Sequence, residues 1–180
     1  YYAVGGKSVS PNNNLVAYGV DTVSRRQYTV YIKDLTTGEL LMDVIPETTG
    51  GATWANDNKT LFYSKQDPQT LRSSMIYKHV LGTDASEDVL VFEEKDETFS
   101  CGIGKTKSKD YLMIGTYATL STEWRYLDAN NPNGEWKIIQ ERERGLEYSV
   151  NQFGSSFYIT HNLDAKNFKL SRTPVMATTK

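Results

Sequence analysis

GGATWANDNKTLFYS, residues 50–64, repeats the plan of GGKSVSPNNNLVAYG, residues 5–19. Each begins with a glycine pair, passes through a short segment into a polar turn, and ends in an apolar stretch carrying Tyr. A chain that states one supersecondary unit twice does so because each unit leaves a hydrophobic face that only a neighbour can cover.

Working outward, the apolar stretches LVAYG from Leu15, LFYSK from Leu61, LMIGT from Leu112 and FYITH from Phe157 start at intervals of about 46, 51 and 45 residues, within the range of propeller blades. A second family follows at nearly the same period: YTVYIKDL from Tyr28, SMIYKHVL from Ser74, TEWRYLDA from Thr122 and NFKLSRTP from Asn167. Turn residues then lead into a third strand in TTGELLMDVI, TDASEDVLVFEE and NNPNGEWKII. Before each first-family strand lies a short strand with a polar turn: GKSVSPNNN, ATWANDNKT, CGIGKTKSKD and YSVNQFGSS. Asn12, Asn13, Asn56, Asp57 and Asn58 suit such turns, because short polar side chains tolerate left-handed backbone and bond nearby amides.

The fold expected from this periodicity is all-β: a β-propeller of four-stranded antiparallel blades, with a β-sandwich as the structural alternative. About four blade repeats fit, at residues 1–45, 46–95, 96–145 and 146–180. Both ends fall inside a repeat, so the chain is expected to be part of a larger propeller. No long amphipathic helix is expected, and SKQDPQTLRSS at 64–74, interrupted by Pro68, reads as a loop.

Composition agrees and excludes several function classes. Aromatic residues make up 12% with Tyr occurring 12 times, a bias toward strands. A net charge of -2 leaves no basic footprint for nucleic acid, and no polybasic run or long apolar segment suggests membrane attachment. The expectation is a soluble protein. Cys101 is the single cysteine, with His79 and His161 the only histidines, too few for a structural zinc site; Cys101 reads as a small core residue. The opening YYAVGGKSVS has neither a basic nor an apolar signal region.

The runs VSPNNNLVAYGVDTVSRRQYTVYIKDL, WANDNKTLFYS, TLRSSMIYKHVLGTDASEDVLVFEEKDETF, KTKSKDYLMIG, STEWRYLDANNP and GLEYSVNQFGSSFYITHNLDAKNFKL resemble the N-terminal propeller of the oligopeptidase B (protease II) branch of the prolyl oligopeptidase family of serine peptidases. The resemblance covers almost the whole chain in the family's order. It implies a seven-bladed propeller capping an α/β-hydrolase catalytic domain that cleaves short peptides after Arg or Lys. It implies no cofactor, and a cytoplasmic bacterial enzyme with periplasmic export as the alternative. The partners it implies are that catalytic domain, outside these residues, and short basic peptides.

No catalytic residue is assigned within the chain. The nucleophile of an α/β-hydrolase sits in G-x-S-x-G; GKSVS at Gly6 approaches this pattern but ends in Ser, and reads as an inner strand entering the Ser10-Pro11 turn. His79 and His161 read as structural and loop-edge histidines. Asn58-Lys59-Thr60 matches a glycosylation pattern that its turn explains without a sugar, DANNPNGEW from Asp128 breaks the register of a calcium loop, and KIIQERERG from Lys137 reads as a solvated strand end and loop.

The sharper site expectation concerns loops. Equivalent connections of a propeller meander recur on one face, so DTVSRRQ, KQDPQTLRS, YATLS and HNLDAK should gather on one rim and bring Arg25, Arg26 and Arg72 into one region. The bland reading is solvated loop charge of little energetic weight. The resemblance, through SRRQY, implies instead that Arg25 or Arg26 contacts the catalytic domain. Two function classes follow: a noncatalytic gating part of an oligopeptidase, or a freestanding interaction scaffold.

Overall fold

The computed structural model describes residues 1–178. Fourteen strands run in chain order: β1 (Ala3–Val9), β2 (Leu15–Asp21), β3 (Tyr28–Asp34), β4 (Leu40–Trp54), β5 (Thr60–Gln66), β6 (Ser73–Val80), β7 (Val89–Glu93), β8 (Ser100–Lys105), β9 (Tyr111–Tyr117), β10 (Thr122–Asp128), β11 (Lys137–Gln140), β12 (Tyr148–Phe153), β13 (Ser156–His161) and β14 (Lys169–Pro174). The described helical structure is two single 3-10 turns, Ala85–Glu87 and Val175–Ala177. The chain is an all-β array in which sequence neighbours pair antiparallel.

The sheet boundaries differ from a row of separate four-stranded units. β1–β7 form one seven-stranded sheet, β8–β11 a four-stranded sheet and β12–β14 a three-stranded sheet. The cause is β4, whose first part pairs with β3 (Val30 opposite Ile45, Tyr31 opposite Val44) and whose end pairs with β5 (Thr53 opposite Phe62, Trp54 opposite Leu61). Its outer-strand and inner-strand halves belong to successive repeats. The pairing shifts between Thr48 and Ala52, so Gly50 and Gly51 sit at the crossover between two meanders.

That crossover explains the glycine pair. Gly50 has φ +96, and a Cβ there would lie 2.8 Å from the Tyr28 ring; a Cβ on Gly19 would lie 2.3 Å from the Gly50 carbonyl oxygen. The Thr48 hydroxyl donates to the Tyr28 carbonyl at 3.1 Å and accepts the Gly50 N–H at 3.0 Å, fixing the bend. Only a residue without a side chain lets the chain turn over this close to β2 and β3.

Strand alternation then builds the core between units. Leu61 and Tyr63 of β5 pack with Ala17, Val30, Ile32, Ile45 and Trp54, while Phe62, between them, points the other way into a cluster with Ile76, Cys101, Leu112 and Ile114. β9 repeats the device: Leu112 and Ile114 face that second cluster, and Met113 faces a third with Tyr126, Ile139, Tyr148 and Phe157. Successive residues of a strand point to opposite faces, so one strand serves two cores.

Gly50→Ala is expected to destabilise the protein by about 1–3 kcal/mol, through positive-φ strain and the clash with Tyr28, whereas Gly51→Ala, whose Cβ would meet nothing within 4 Å, should be nearly neutral. Urea midpoints of the two variants check this; equal midpoints would overturn the account of the crossover.

Candidate interdomain face

The hairpin loops 22–27, 67–72, 118–121 and 162–168 lie at the same end of the meanders, because each follows the second strand of its unit. Neighbouring loops are tied together. The Gln66 amide donates to the Arg26 carbonyl at 2.5 Å, and the Gln27 amide to the Pro68 carbonyl at 3.5 Å. Farther along, the Asn162 side chain accepts the Glu147 N–H at 2.9 Å and donates to the Gly145 carbonyl at 2.9 Å.

Asp21 organises the SRRQ loop. Its side chain is buried, and its two carboxylate oxygens accept the backbone N–H groups of Val23, Ser24, Arg25 and Arg26 at 2.8–3.0 Å. Burial alone would push this carboxyl up, but the four donors together outweigh it and hold the pKa below the usual carboxylate value. With the backbone wrapped around Asp21, the Arg25 and Arg26 side chains project outward, and both residues are exposed. Among the described residues neither guanidinium makes a hydrogen bond to a side chain or an ion pair.

Arg72 is placed differently. Its Nε donates to the Phe99 carbonyl at 2.7 Å and its Nη2 to the Glu94 and Asp96 carbonyls at 2.7 Å each. It thus pins the 94–99 segment between β7 and β8, and its donors are engaged within the chain. Arg25 and Arg26 are the members of the trio with free guanidinium groups.

A second arginine grips the same segment, and sequence reasoning missed it. Arg142, in the QERERG stretch expected to be solvated, lies with Nη2 2.5 Å from Glu94 Oε2 and 3.5 Å from Glu123 Oε1. Its backbone N–H donates to Glu123 Oε2 at 3.0 Å, and its guanidinium carbon sits 4.0 Å from the centre of the Phe99 ring. Desolvation pulls its pKa down, but the bond to Glu94 and the charges of Glu94 and Glu123 leave it raised. Both glutamates are buried. Arg125 adds an ion pair to Glu123 at 2.5 Å and lies over Phe92, 4.6 Å from its centre. The two glutamates that Arg142 meets are 19 and 48 positions from it in the chain, beyond the reach of local pattern, and Glu94 stands in the charged run EEKDE, where nothing local marks it as buried.

The remaining candidates are structural. His79 is fully buried, with Nδ1 2.7 Å from Asp88 Oδ1 and Nε2 3.1 Å from Asp43 Oδ1. The Tyr63 hydroxyl donates to Asp88 at 2.7 Å and the Gly82 N–H to Asp43 at 2.6 Å. The two carboxylates meet opposite edges of the imidazole, so the three side chains do not converge on one ion; among the described residues no His, Cys, Asp and Glu group is arranged to hold a metal. His161 Nδ1 accepts the Leu163 N–H at 3.3 Å and Nε2 lies 2.8 Å from the Ser171 hydroxyl. Cys101 belongs to the second core cluster, and burial, aided by the charge of Glu94, pushes its thiol up to about 12, which leaves it unreactive.

Comparison with known proteins now adds a decisive observation. The family described as "Prolyl oligopeptidase, N-terminal beta-propeller domain" matches residues 1–180. The chain belongs to the prolyl oligopeptidase family. Among curated relatives, a dipeptidyl aminopeptidase BI of Pseudoxanthomonas mexicana is 42% identical over the whole chain, and a Protease 2 of Moraxella lacunata is 32% identical over 97% of it. The solved oligopeptidase B of Leishmania major superposes with a TM-score of 0.91 at 30% identity, covering 97% of this chain. The chain spans about a quarter of the length of these relatives: 25% of the aminopeptidase, 26% of Protease 2 and 25% of the oligopeptidase B chain. It corresponds to the propeller portion of the prolyl oligopeptidase family, and the sandwich alternative is set aside.

Asp21→Asn should free the SRRQ loop, because an amide offers one acceptor oxygen in place of two. The amides of residues 23–26 are expected to exchange at least about tenfold faster by hydrogen exchange, in line with losing hydrogen bonds to a buried charged group. Because the folded Asp21 pKa is lowered, its contribution is present above the unfolded carboxylate value of about 3.9 and is lost as pH falls through the folded value. Protection of these amides should therefore hold from neutral pH to about pH 5 and fail in stronger acid. Unchanged exchange in the variant would contradict the role given to Asp21.

Proposed function

We propose that this chain is the noncatalytic gating and size-filtering part of a serine oligopeptidase that hydrolyses short peptides after Arg or Lys. The observation that carries the reading is the match of the whole chain to the family's N-terminal propeller, at a quarter of its relatives' length. In this reading the propeller meets an α/β-hydrolase domain that supplies the nucleophile, acid and base, and restricts entry to peptides small enough to pass. Arg25 and Arg26 form the contact that favours the closed arrangement. They suit that task because the Asp21 turn orders their backbone in advance while their guanidinium groups stay unpaired, so a carboxylate across the interface gains two charge-assisted partners at little ordering cost. Arg72 and Arg142 act behind them, keeping the 94–99 segment of the same face rigid.

A second reading of the specificity has its own support. The 42% identical relative is named as a dipeptidyl aminopeptidase, an activity that would release dipeptides from a free N-terminus instead of cutting within a peptide. The two readings share the gating role and differ in the substrate end recognised.

In the intact protein, Arg25→Ala/Arg26→Ala should lower kcat/KM for a short peptide about tenfold, the order expected for losing an interfacial charge pair. Wild-type kinetics together with an unchanged open-to-closed population would overturn the assigned contact. Turnover of an N-blocked peptide with Arg before the scissile bond supports the endopeptidase, and turnover of only the unblocked dipeptide substrate supports the aminopeptidase. Absence of both activities, without labelling by a serine-directed probe, would favour a freestanding interaction scaffold.

A further inference from the structure

At the end of the meanders opposite the arginine loops, the inner strands line an open cavity of about 440 Å³. Lys7 of β1, Lys105 at the end of β8 and Lys109 in the following turn line it, together with Ser8, Thr53 and Trp54. Trp54 forms a fixed wall, because its indole N–H donates to the Ser8 carbonyl at 2.9 Å. Among the described residues, no acidic side chain lines the cavity. Among the described residues, none of the three ammonium groups has a carboxylate within 4.0 Å.

Lys105 is the telling member. It is half-buried, and its Nζ has one neutral partner, the Asn56 side-chain oxygen at 2.5 Å. Asn56 is held in that orientation by donating its amide to the Lys109 carbonyl and the Asn130 side chain, each at 3.0 Å. The acidic residue with influence here, Asp57, directs its carboxylate to the Lys59 and Thr60 N–H groups and the Thr60 hydroxyl. Desolvation, and then the charge of Lys109, lower the Lys105 pKa, with Asp57 opposing them only in part. Proteins normally pair a charge withdrawn from water, and here the pairing is missing while a like charge stands beside it.

We infer that Lys7, Lys105 and Lys109 form an anion site for the carboxylate of a peptide, at the end of the inner-strand cavity remote from the Arg25–Arg26 face. The ligand chemistry is a carboxylate whose charge relieves the mutual repulsion of Lys105 and Lys109, with the cavity giving room for the adjoining backbone. Because it names a peptide, this inference rests on the peptidase reading; it adds a binding position where no bond is broken.

The test uses the intact protein with its reactive serine blocked by a covalent serine-directed inhibitor, so that binding is read without turnover and the extent of labelling reports separately on the peptidase assignment. Calorimetry compares N-acetyl-Ala-Ala-Phe-Ala as the free acid, as its C-terminal amide, and as the amide with the last Ala replaced by Asp. The free acid is expected to bind about tenfold more tightly than the plain amide at low ionic strength, the scale of a charge-assisted contact, and the preference should shrink in high salt. Lys105→Gln/Lys109→Gln should abolish it. Should that double variant fail to fold, Lys7→Gln, at an exposed position, should still reduce the preference about threefold, as for an exposed charge. An Asp amide that binds like the acid assigns the site to acidic side chains, and one that binds like the plain amide assigns it to the C-terminus; both support the inference. Equal affinities for acid and plain amide, or a preference that survives the lysine changes, would overturn it. So would displacement of the acid by inorganic phosphate at equal concentration, which would make the occupant a small free anion.

Discussion

Every sheet in this chain has two faces, and apolar residues alternate across the strands at its centre, so no unit can satisfy its core alone. Phe62 and Leu61 are adjacent in sequence, yet each is fully buried in a different cluster; Met113 and Leu112 divide in the same way. Removing a Leu- or Phe-sized side chain from water is worth roughly 1.5–3 kcal/mol, and each of these strands collects that gain twice, but only while neighbours stand on both sides. Within these residues, Val4 and Val9 of β1 and Phe153 and Leu170 of the last sheet have no such neighbour against them and are exposed. Stacking is therefore the constraint from which the glycine crossover, the repeat period and the two opposite loop ends follow.

Polar contacts add specificity to that stack. Glu94, Glu123, Arg125 and Arg142 bring four charges together across the boundary between the first and second sheets. Replacing such a buried set with apolar groups is often harmless to stability, whereas removing one partner is costly. The network joins the 94–99 segment to the loop before β12 through Glu94 and Arg142. Arg72 holds the same segment from the other side, so the face that presents Arg25 and Arg26 rests on a rigid support.

The repeated strands were legible because their signal is local. Period-2 alternation and turn residues sit within about ten positions, and the recurrence of LVAYG, LFYSK, LMIGT and FYITH located β2, β5, β9 and β13. The seven-stranded sheet was not legible, since GG reads equally well as a break between strands; only the approach of Gly50 to Gly19 and Tyr28 reveals a continuous crossing strand. The loops DTVSRRQ and KQDPQTLRS were expected side by side and are bonded through Gln66 and Gln27. Arg72 could be placed there but not assigned its partners, because three backbone carbonyls leave no trace in side-chain identity. Arg142 escaped for the related reason that its glutamates come from distant parts of the chain, the segment after β7 and β10.

The most direct test of the account is the mass of the protein that carries this propeller portion. A native lysate treated with a serine-directed activity probe, followed by capture with an antibody to this chain, should yield a labelled species about four times the 20.3 kDa of these residues. Capture of only an unlabelled species near 20.3 kDa would contradict the gating role and leave a freestanding β-propeller relative without chemistry of its own.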